Sequence, residues 1–327
     1  YTVLAPEGGI EFKAGHEHHL AIQLGGGGQA TITSHSIAAF TPGGSGSIDA
    51  RTDGIYTEKH LRDFAKDWNA NPATARAKWA DTDGVIYLRN DIAIMGGDDF
   101  TPIGTDYPFT ATFDGGGHTI SGLKVNASGH AGLFGTISGG TVRHLNLILH
   151  TDGITGTNNR AGGIAGQNNG TILACTVQGD ITSTDSHAGR IAGQNYGTIA
   201  ACPFGDNVTA GNDAYSYAGG IAGYNYGKLA GCYSLATSVT GGNNNANSFG
   251  IAYNNGGTLT ACHWLTDSGQ PTKASNSGGA TCFFFTSKAE YQADARYTQK
   301  MNNALADIDP KPDYSWVHVA GAMPVLI

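Results

Sequence analysis

The sequence predicts an all-β chain built mainly as a parallel β-helix, a solenoid of roughly 30-residue coils with an N-terminal capping helix. The first observation is a cysteine period: Cys175, Cys202, Cys232 and Cys262 lie 27, 30 and 30 residues apart. The second is a glycine box at the same offsets, Ala161-Gly-Gly-Ile-Ala-Gly166, Ala188-Gly-Arg-Ile-Ala-Gly193, Ala218-Gly-Gly-Ile-Ala-Gly223 and a worn copy, Ser248-Phe-Gly-Ile-Ala-Tyr253. In the worn copies Arg190 takes the place of the second box glycine and Tyr253 that of the last. The third is an Asn-rich turn after each box and then a short apolar run ending in the cysteine. Asn168, Asn195, Asn225 and Asn255 keep the 27, 30, 30 spacing. Such a position can stack its amides into a hydrogen-bonded ladder.

Composition bounds the remaining possibilities. The chain has 327 residues and 50 glycines, and only 13% of residues are charged, about half the usual share. Apolar residues make up 40% and recur regularly, which is not a disordered composition. Net charge is −8 without a basic cluster, which argues against a nucleic-acid partner. No run approaches the eighteen apolar residues of a membrane span. The opening Tyr1-Thr-Val-Leu reads as mid-strand, so the expectation is a longer secreted precursor.

Taken in order, residues 1–50 differ from the rest. Ile10–Gly15 and His18–Leu24 read as strands joined at Ala14-Gly15, Ala30–Phe40 as another strand, and Thr41–Gly46 as a linker. In Thr57–Trp68, Leu61, Phe64, Ala65 and Trp68 share one helical face. Thr57 is the expected N-cap, with His60 where a capping box would place Glu or Gln. A short amphipathic helix beside a solenoid has its natural place over the open end, where it covers apolar surface and strand edges. Val85–Leu88 and Ile92–Ile94 supply first-coil strands, and Phe109–Leu123 the next turn of chain. Lys288–Asp307 reads as helical, with Trp316–Val319 and Pro324–Ile327 as closing strands.

Five cysteines are an odd number for a disulfide framework. Side chains stacked about 4.8 Å apart along a solenoid sit too far apart for easy bridging. Leu145, 30 residues before Cys175, fits the same column. The four periodic cysteines therefore read as a reduced, buried apolar ladder. A linear stack also cannot make a tetrahedral metal site.

Phe100-Thr-Pro-Ile-Gly104, Phe109–Ile120 with its Phe113-Asp-Gly-Gly-Gly-His118 run, and Ala131-Gly-Leu-Phe-Gly135 resemble bacterial surface proteins carrying the GLUG repeat, as do the glycine boxes that follow. The resemblance covers residues 51–327. It implies a parallel β-helix at the bacterial cell surface or outside the cell, and an architecture more than a chemistry. Phe12-Lys-Ala-Gly15 and His18–Leu24 are similar to the closing hairpin of a fimbrillin-like β-sandwich. That implies that residues 1–50 are the C-terminal remnant of such a domain plus a linker.

Catalysis by a β-helix requires carboxylates clustered on one face. No glutamate occurs between Glu58 and Glu290. Asp180 and Asp206 share a place after the cysteine strand but read first as turn residues. Asp81-Thr-Asp-Gly84 has calcium-loop spacing without the downstream Glu. His16, His18 and His19 could offer zinc two ligands but read first as half-exposed strand residues. The expectation is no catalytic residue, no metal and no cofactor. The better hint is aromatic. Tyr196 and Tyr226 are 30 apart in equivalent turns, with Tyr224 two residues before Tyr226. With Asn195 and Asn225 beside them they form the expected ligand-binding strip, suited to sugar rings and hydroxyls. The leading expectation is a non-catalytic adhesin-like or pilus-associated module for a glycan or host surface protein. A polysaccharide lyase or hydrolase and a purely structural stalk are the alternatives. The sequence carries no signal of oligomeric state.

Overall fold

A computed structural model describes the strand backbones at 2–4, 18–24 and 29–37. It further describes residues 54–211, 213–242, 247–265, 273–276, 281–308, 315–319 and 323–326. The chain divides into two compact units, Tyr1–Thr52 and Asp53–Ile327.

In the first unit His18–Leu24 and Gln29–Ile37 pair antiparallel, and Thr2–Leu4 pairs parallel to Gln29–Ile37. The hairpin thus joins His18–Leu24 to the strand after it. The expected strand at 10–15, and the side chains of His16, His18 and His19, lie outside the described residues.

The second unit is a β-solenoid of about six turns, with mostly parallel strands. Its core is made of columns, because parallel register puts equivalent residues directly above one another. One column runs Ile86, Phe113, Val142, Ile172, Ile199, Leu229, Leu259 through successive strand pairings. Every member is buried. A second ladder carries the glycine boxes, with Ala161-Gly162, Ala188-Gly189, Ala218-Gly219 and Ser248-Phe249 paired in parallel. The cysteine column is buried as well, from Leu145 through Cys175, Cys202 and Cys232 to Cys262. All five cysteines are free thiols, and burial pushes the Cys175 and Cys232 thiols up. Cys282, outside the 30-residue period, comes alongside Cys262; that contact and its burial push its thiol up.

Helix α1 spans Glu58–Ala70 and α2 spans Pro72–Trp79. Thr57 Oγ1 accepts from the His60 backbone N–H at 3.2 Å. The reciprocal bond of a capping box is displaced by one residue, because His60 Nδ1 accepts from the Tyr56 N–H at 3.4 Å. The apolar face of α1 caps the end of the solenoid: Trp68 packs on Phe109 with ring centroids 4.6 Å apart, and Phe64 on Phe113 at 6.3 Å. Helix α2 follows without a loop. Asn71 closes α1 and caps α2 by accepting from Ala73 and Thr74, with Pro72 at the first turn, where its missing N–H costs nothing.

The C-terminal segment packs against the side of the solenoid. Helices α3 (Lys288–Ala293) and α4 (Ala295–Leu305) break at Asp294, which caps α4. Met301, Leu305, Tyr291 and Trp316 bury against Leu173, Ala200, Ala201, Ala230 and Tyr233. The alanines leave room for a helix to approach. Trp316 Nε1 donates to the Gly231 carbonyl at 2.9 Å, which anchors the segment. Trp316-Val317 and Val325-Leu326 form a separate antiparallel pair.

The fourth coil departs from the sequence alignment. Asn225 pairs with Asn254 rather than Asn255, and Tyr224 pairs with Tyr253, after a register shift between Ala222 and Tyr224. The last box glycine is therefore deleted in this coil, and Tyr253 is the counterpart of Tyr224. The lost residue is regained in the next turn, where Asn254 bonds to Gly257 as Asn225 does to Gly227. Arg190 also lies inside: its guanidinium is buried and donates to the carbonyls of Gly179 and Asn207.

Candidate binding site on the tyrosine face

Adjacent residues of a strand point to opposite sides, so Asn195 and Asn225 face away from Gln194 and Tyr224, and Tyr196 and Tyr226 follow in the bends just past the strand ends. Asn168, Asn195 and Asn225 point inward and are fully buried. Each donates its amide to the next: Asn168 to Asn195 at 2.7 Å, Asn195 to Asn225 at 2.7 Å, and Asn225 to Asn254 at 2.8 Å. Asn195 and Asn225, expected at the ligand face, are thus inside the coil. Their polar atoms are used on one another and on turn carbonyls. The ladder itself follows the sequence expectation, with Asn254 in place of Asn255.

Tyr196, Tyr224 and Tyr226 come together on the outside. Tyr196 and Tyr226 stack with centroids 4.8 Å apart and planes 2° from parallel, the spacing of adjacent coils. They remain 47% and 40% exposed. The Tyr226 hydroxyl donates to that of Tyr224 at 3.3 Å, and Asn255 Nδ2 donates to the same oxygen at 2.8 Å. The cluster extends beyond the expected residues. Tyr217 stacks on Tyr253 at 3.8 Å, and His187 lies 5.3 Å from Tyr217 and 4.9 Å from Tyr224. Burial and hydrogen bonding to Tyr253 push the Tyr217 phenol up to about 12. Burial pushes Tyr224 up too. Burial, with Arg160 nearby, holds His187 down to about 4, so it is neutral at pH 7.

Tyr196 and Tyr226 cover one face of each other, which leaves the upstream face of Tyr196 without a ring against it. One coil upstream its position is held by the shorter, exposed Asn169. Among the described residues Tyr196 has no other ring partner. Beyond it lie Gln194, which donates to the Tyr196 hydroxyl at 2.9 Å, and Gln167, which donates to Asn169 Oδ1 at 3.2 Å. The box glycines make this corner possible. A β-carbon on Gly193 would meet the Arg160 β-carbon and the Ala161 nitrogen at 2.8 Å, and one on Gly223 would meet the His187 β-carbon at 2.8 Å. Glycine there lets the column His130, Arg160, His187, Tyr217 lie close beside the tyrosine strip.

A second concavity, of about 790 Å³, lies where the C-terminal segment meets the solenoid, lined in part by Tyr87, Arg143, His144 and Trp316. Sequence reasoning did not find it, because its walls come from residues over 200 positions apart. Its one carboxylate, Asp114, is buried and used internally. It takes Arg143 Nε at 2.8 Å, His144 Nδ1 at 3.1 Å and the Gly116 N–H at 2.9 Å. These bonds overcome its burial and hold it down to about 2. That arrangement ties two adjacent coils together and, among the described residues, leaves no carboxylate aimed into the space. Asp180, Asp185 and Asp213 are separately exposed, and the Asp206 side chain lies outside the described residues. Among the described residues no cluster of three or more His, Cys, Asp or Glu side chains could hold a metal, and no helix is long and apolar enough to cross a membrane.

Comparison with known proteins agrees with the fold. The chain is similar to the crystal structure of a Bacteroides ovatus protein provisionally named an immunoglobulin A1 protease, with a TM-score of 0.51 and 17% identity. That likeness covers 83% of this chain and 91% of the other. A stretch of 91 residues is 46% identical to halomucin of Haloquadratum walsbyi, covering 26% of this chain and 1% of halomucin. No family model matches. The architecture these observations define is a β-solenoid.

Proposed function

We propose that the chain is a non-catalytic binding module, exposed on a cell surface or secreted, that holds a glycan on its tyrosine face. The observation that carries this reading is the half-exposed Tyr196–Tyr226 stack, rimmed by Gln167, Gln194, Asn169 and Asn255. Aromatic rings present apolar faces to sugar C–H groups, and amides and phenols bond the hydroxyls. Rigid tyrosines lose little entropy when a ligand docks. The resemblance to GLUG-repeat surface proteins agrees with this role. A host protein is the other partner such a face could accept. The spent carboxylate at Asp114 gives the β-helix lyase or hydrolase alternative no support.

The test is a glycan array probed with the intact protein, followed by titration of the best hits against wild type and Tyr196→Ala. Saccharide binding that Tyr196→Ala weakens is the expected result. Binding to host proteins alone would move the site to a protein partner. New reducing ends or unsaturated products in a polysaccharide digest would overturn the non-catalytic reading.

A further inference from the structure

We infer that the tyrosine face is built for an acidic sugar, a uronic or sialic acid residue whose carboxylate is held by Arg160. This rests on the glycan-binding reading above and adds the chemical class of the ligand. Arg160 occupies the column between His130 and His187, which packs beside the tyrosine strip. Its Nη1 donates to Gln167 Oε1 at 3.2 Å, and Gln167 in turn donates to Asn169 at 3.2 Å. Asn169 stands directly upstream of Tyr196. A guanidinium, two amides and the uncovered face of one aromatic ring are therefore contiguous.

The charge at this corner is unbalanced. Arg62, Arg143 and Arg296 each pair with a carboxylate, Glu58, Asp114 and Asp294 respectively. Among the described residues Arg160 has no such partner, and its Nε is buried without a hydrogen bond. The flanking histidines add no charge at neutral pH, because burial and Arg160 itself hold His130 and His187 down. A planar guanidinium matches a carboxylate with two parallel hydrogen bonds, and partial burial strengthens the attraction. A neutral sugar would leave this cation desolvated and unpaired, which opposes binding.

The test compares matched pairs with the intact protein: sialyllactose against lactose, and an oligogalacturonate against its methyl ester. In at least one pair the acidic member should bind about tenfold more tightly at low salt, with the gap narrowing at high salt. Arg160→Gln should remove the preference, so that the two members of the pair bind alike, and Arg160→Lys should keep part of it. Circular dichroism confirms that the variants are folded. Equal affinity within both pairs, or a preference that survives in Arg160→Gln, overturns the inference. If the members of both pairs bind equally and Tyr196→Ala abolishes that binding, glycan binding stands while the acidic specificity falls. If no saccharide binds, both fall.

Discussion

Asn195 donates its side-chain amide hydrogen to the side-chain oxygen of Asn225, Oδ1, across 2.7 Å, inside the coil and out of reach of solvent. The next residue, Tyr196, stacks on Tyr226 on the opposite side of the same backbone. One edge of the coil thus carries a buried amide ladder inward and an exposed aromatic strip outward, so the two can be separated by mutation.

Asn195→Ala interrupts the ladder. It leaves a donor of Asn168 and an acceptor of Asn225 without their buried partner, and buried polar groups without partners are costly. The expected loss is about 2–4 kcal/mol of stability, read as a lower denaturation midpoint in urea. A change under about 0.5 kcal/mol, the range of an ordinary surface substitution, would refute the ladder's structural role.

Tyr196→Ala with Tyr226→Ala acts the other way. The rings are exposed and lie outside the core columns, so unfolding should shift little. Glycan affinity should fall by more than about 1 kcal/mol, the usual mark of an important contact. Isothermal titration with the best array ligand measures it. A double mutant that loses its β-rich circular dichroism would show that the tyrosines mainly lock neighbouring turns together.

Stability should fall as the solution is acidified from neutral. His263 is buried with Nδ1 2.7 Å from the Tyr291 hydroxyl, and burial together with Lys300 holds it down to about 3. Unfolded histidine titrates near 6.5, roughly. Between those values the unfolded chain binds a proton that the native state refuses, so stability is full above about 6.5 and declines as pH falls toward 3. His187, held down to about 4, adds the same sign over its own window. Urea midpoints at pH 7, 6 and 5 should decrease in order, and His263→Gln should flatten part of that slope. Equal midpoints across this range would contradict the buried neutral histidines.

Thiol accessibility should follow the columns. Cys175, Cys202, Cys232 and Cys262 are fully buried, while Cys282 is partly exposed. A thiol reagent should reach at most Cys282 in the native protein and all five cysteines after unfolding. Fewer than five after unfolding would reveal a disulfide.

Gly193→Ala should destabilise by about 1–3 kcal/mol, the range for forcing an extra methyl into packed structure. The new β-carbon would meet backbone at Ala161 and Gly166 as well as the Arg160 side chain, so no simple rotamer change relieves it. Thermal unfolding against wild type checks this, and an unchanged midpoint would show that the box glycine is dispensable.

Much of this architecture was determined by the sequence alone. A period of 27 to 30 residues sets the height of one coil per repeat. In-register stacking then makes every periodic residue a column, so the cysteine stack and the stacking of Tyr196 on Tyr226 were legible. The helical face of Leu61, Phe64, Ala65 and Trp68 likewise announced an end cap. The inward turn of Asn195 was not legible, since the spacing put it on the same strip as Tyr196. Tertiary structure decided the rest, because it depends on contacts that no spacing encodes. A residue lost before Tyr253 and regained after Asn254 keeps the overall 30-residue count, so only strand pairing shows that Asn254 completes the ladder. The lateral docking of α4 depends on a surface of alanines from three coils, and the Asp114 cluster on bonds across 29 and 30 residues. Arg160 meets the tyrosine strip only because Gly193 and Gly223 let two columns close around a corner. The period places residues along the axis of the solenoid; neighbours around its circumference are set by how each turn bends, and that is settled by packing.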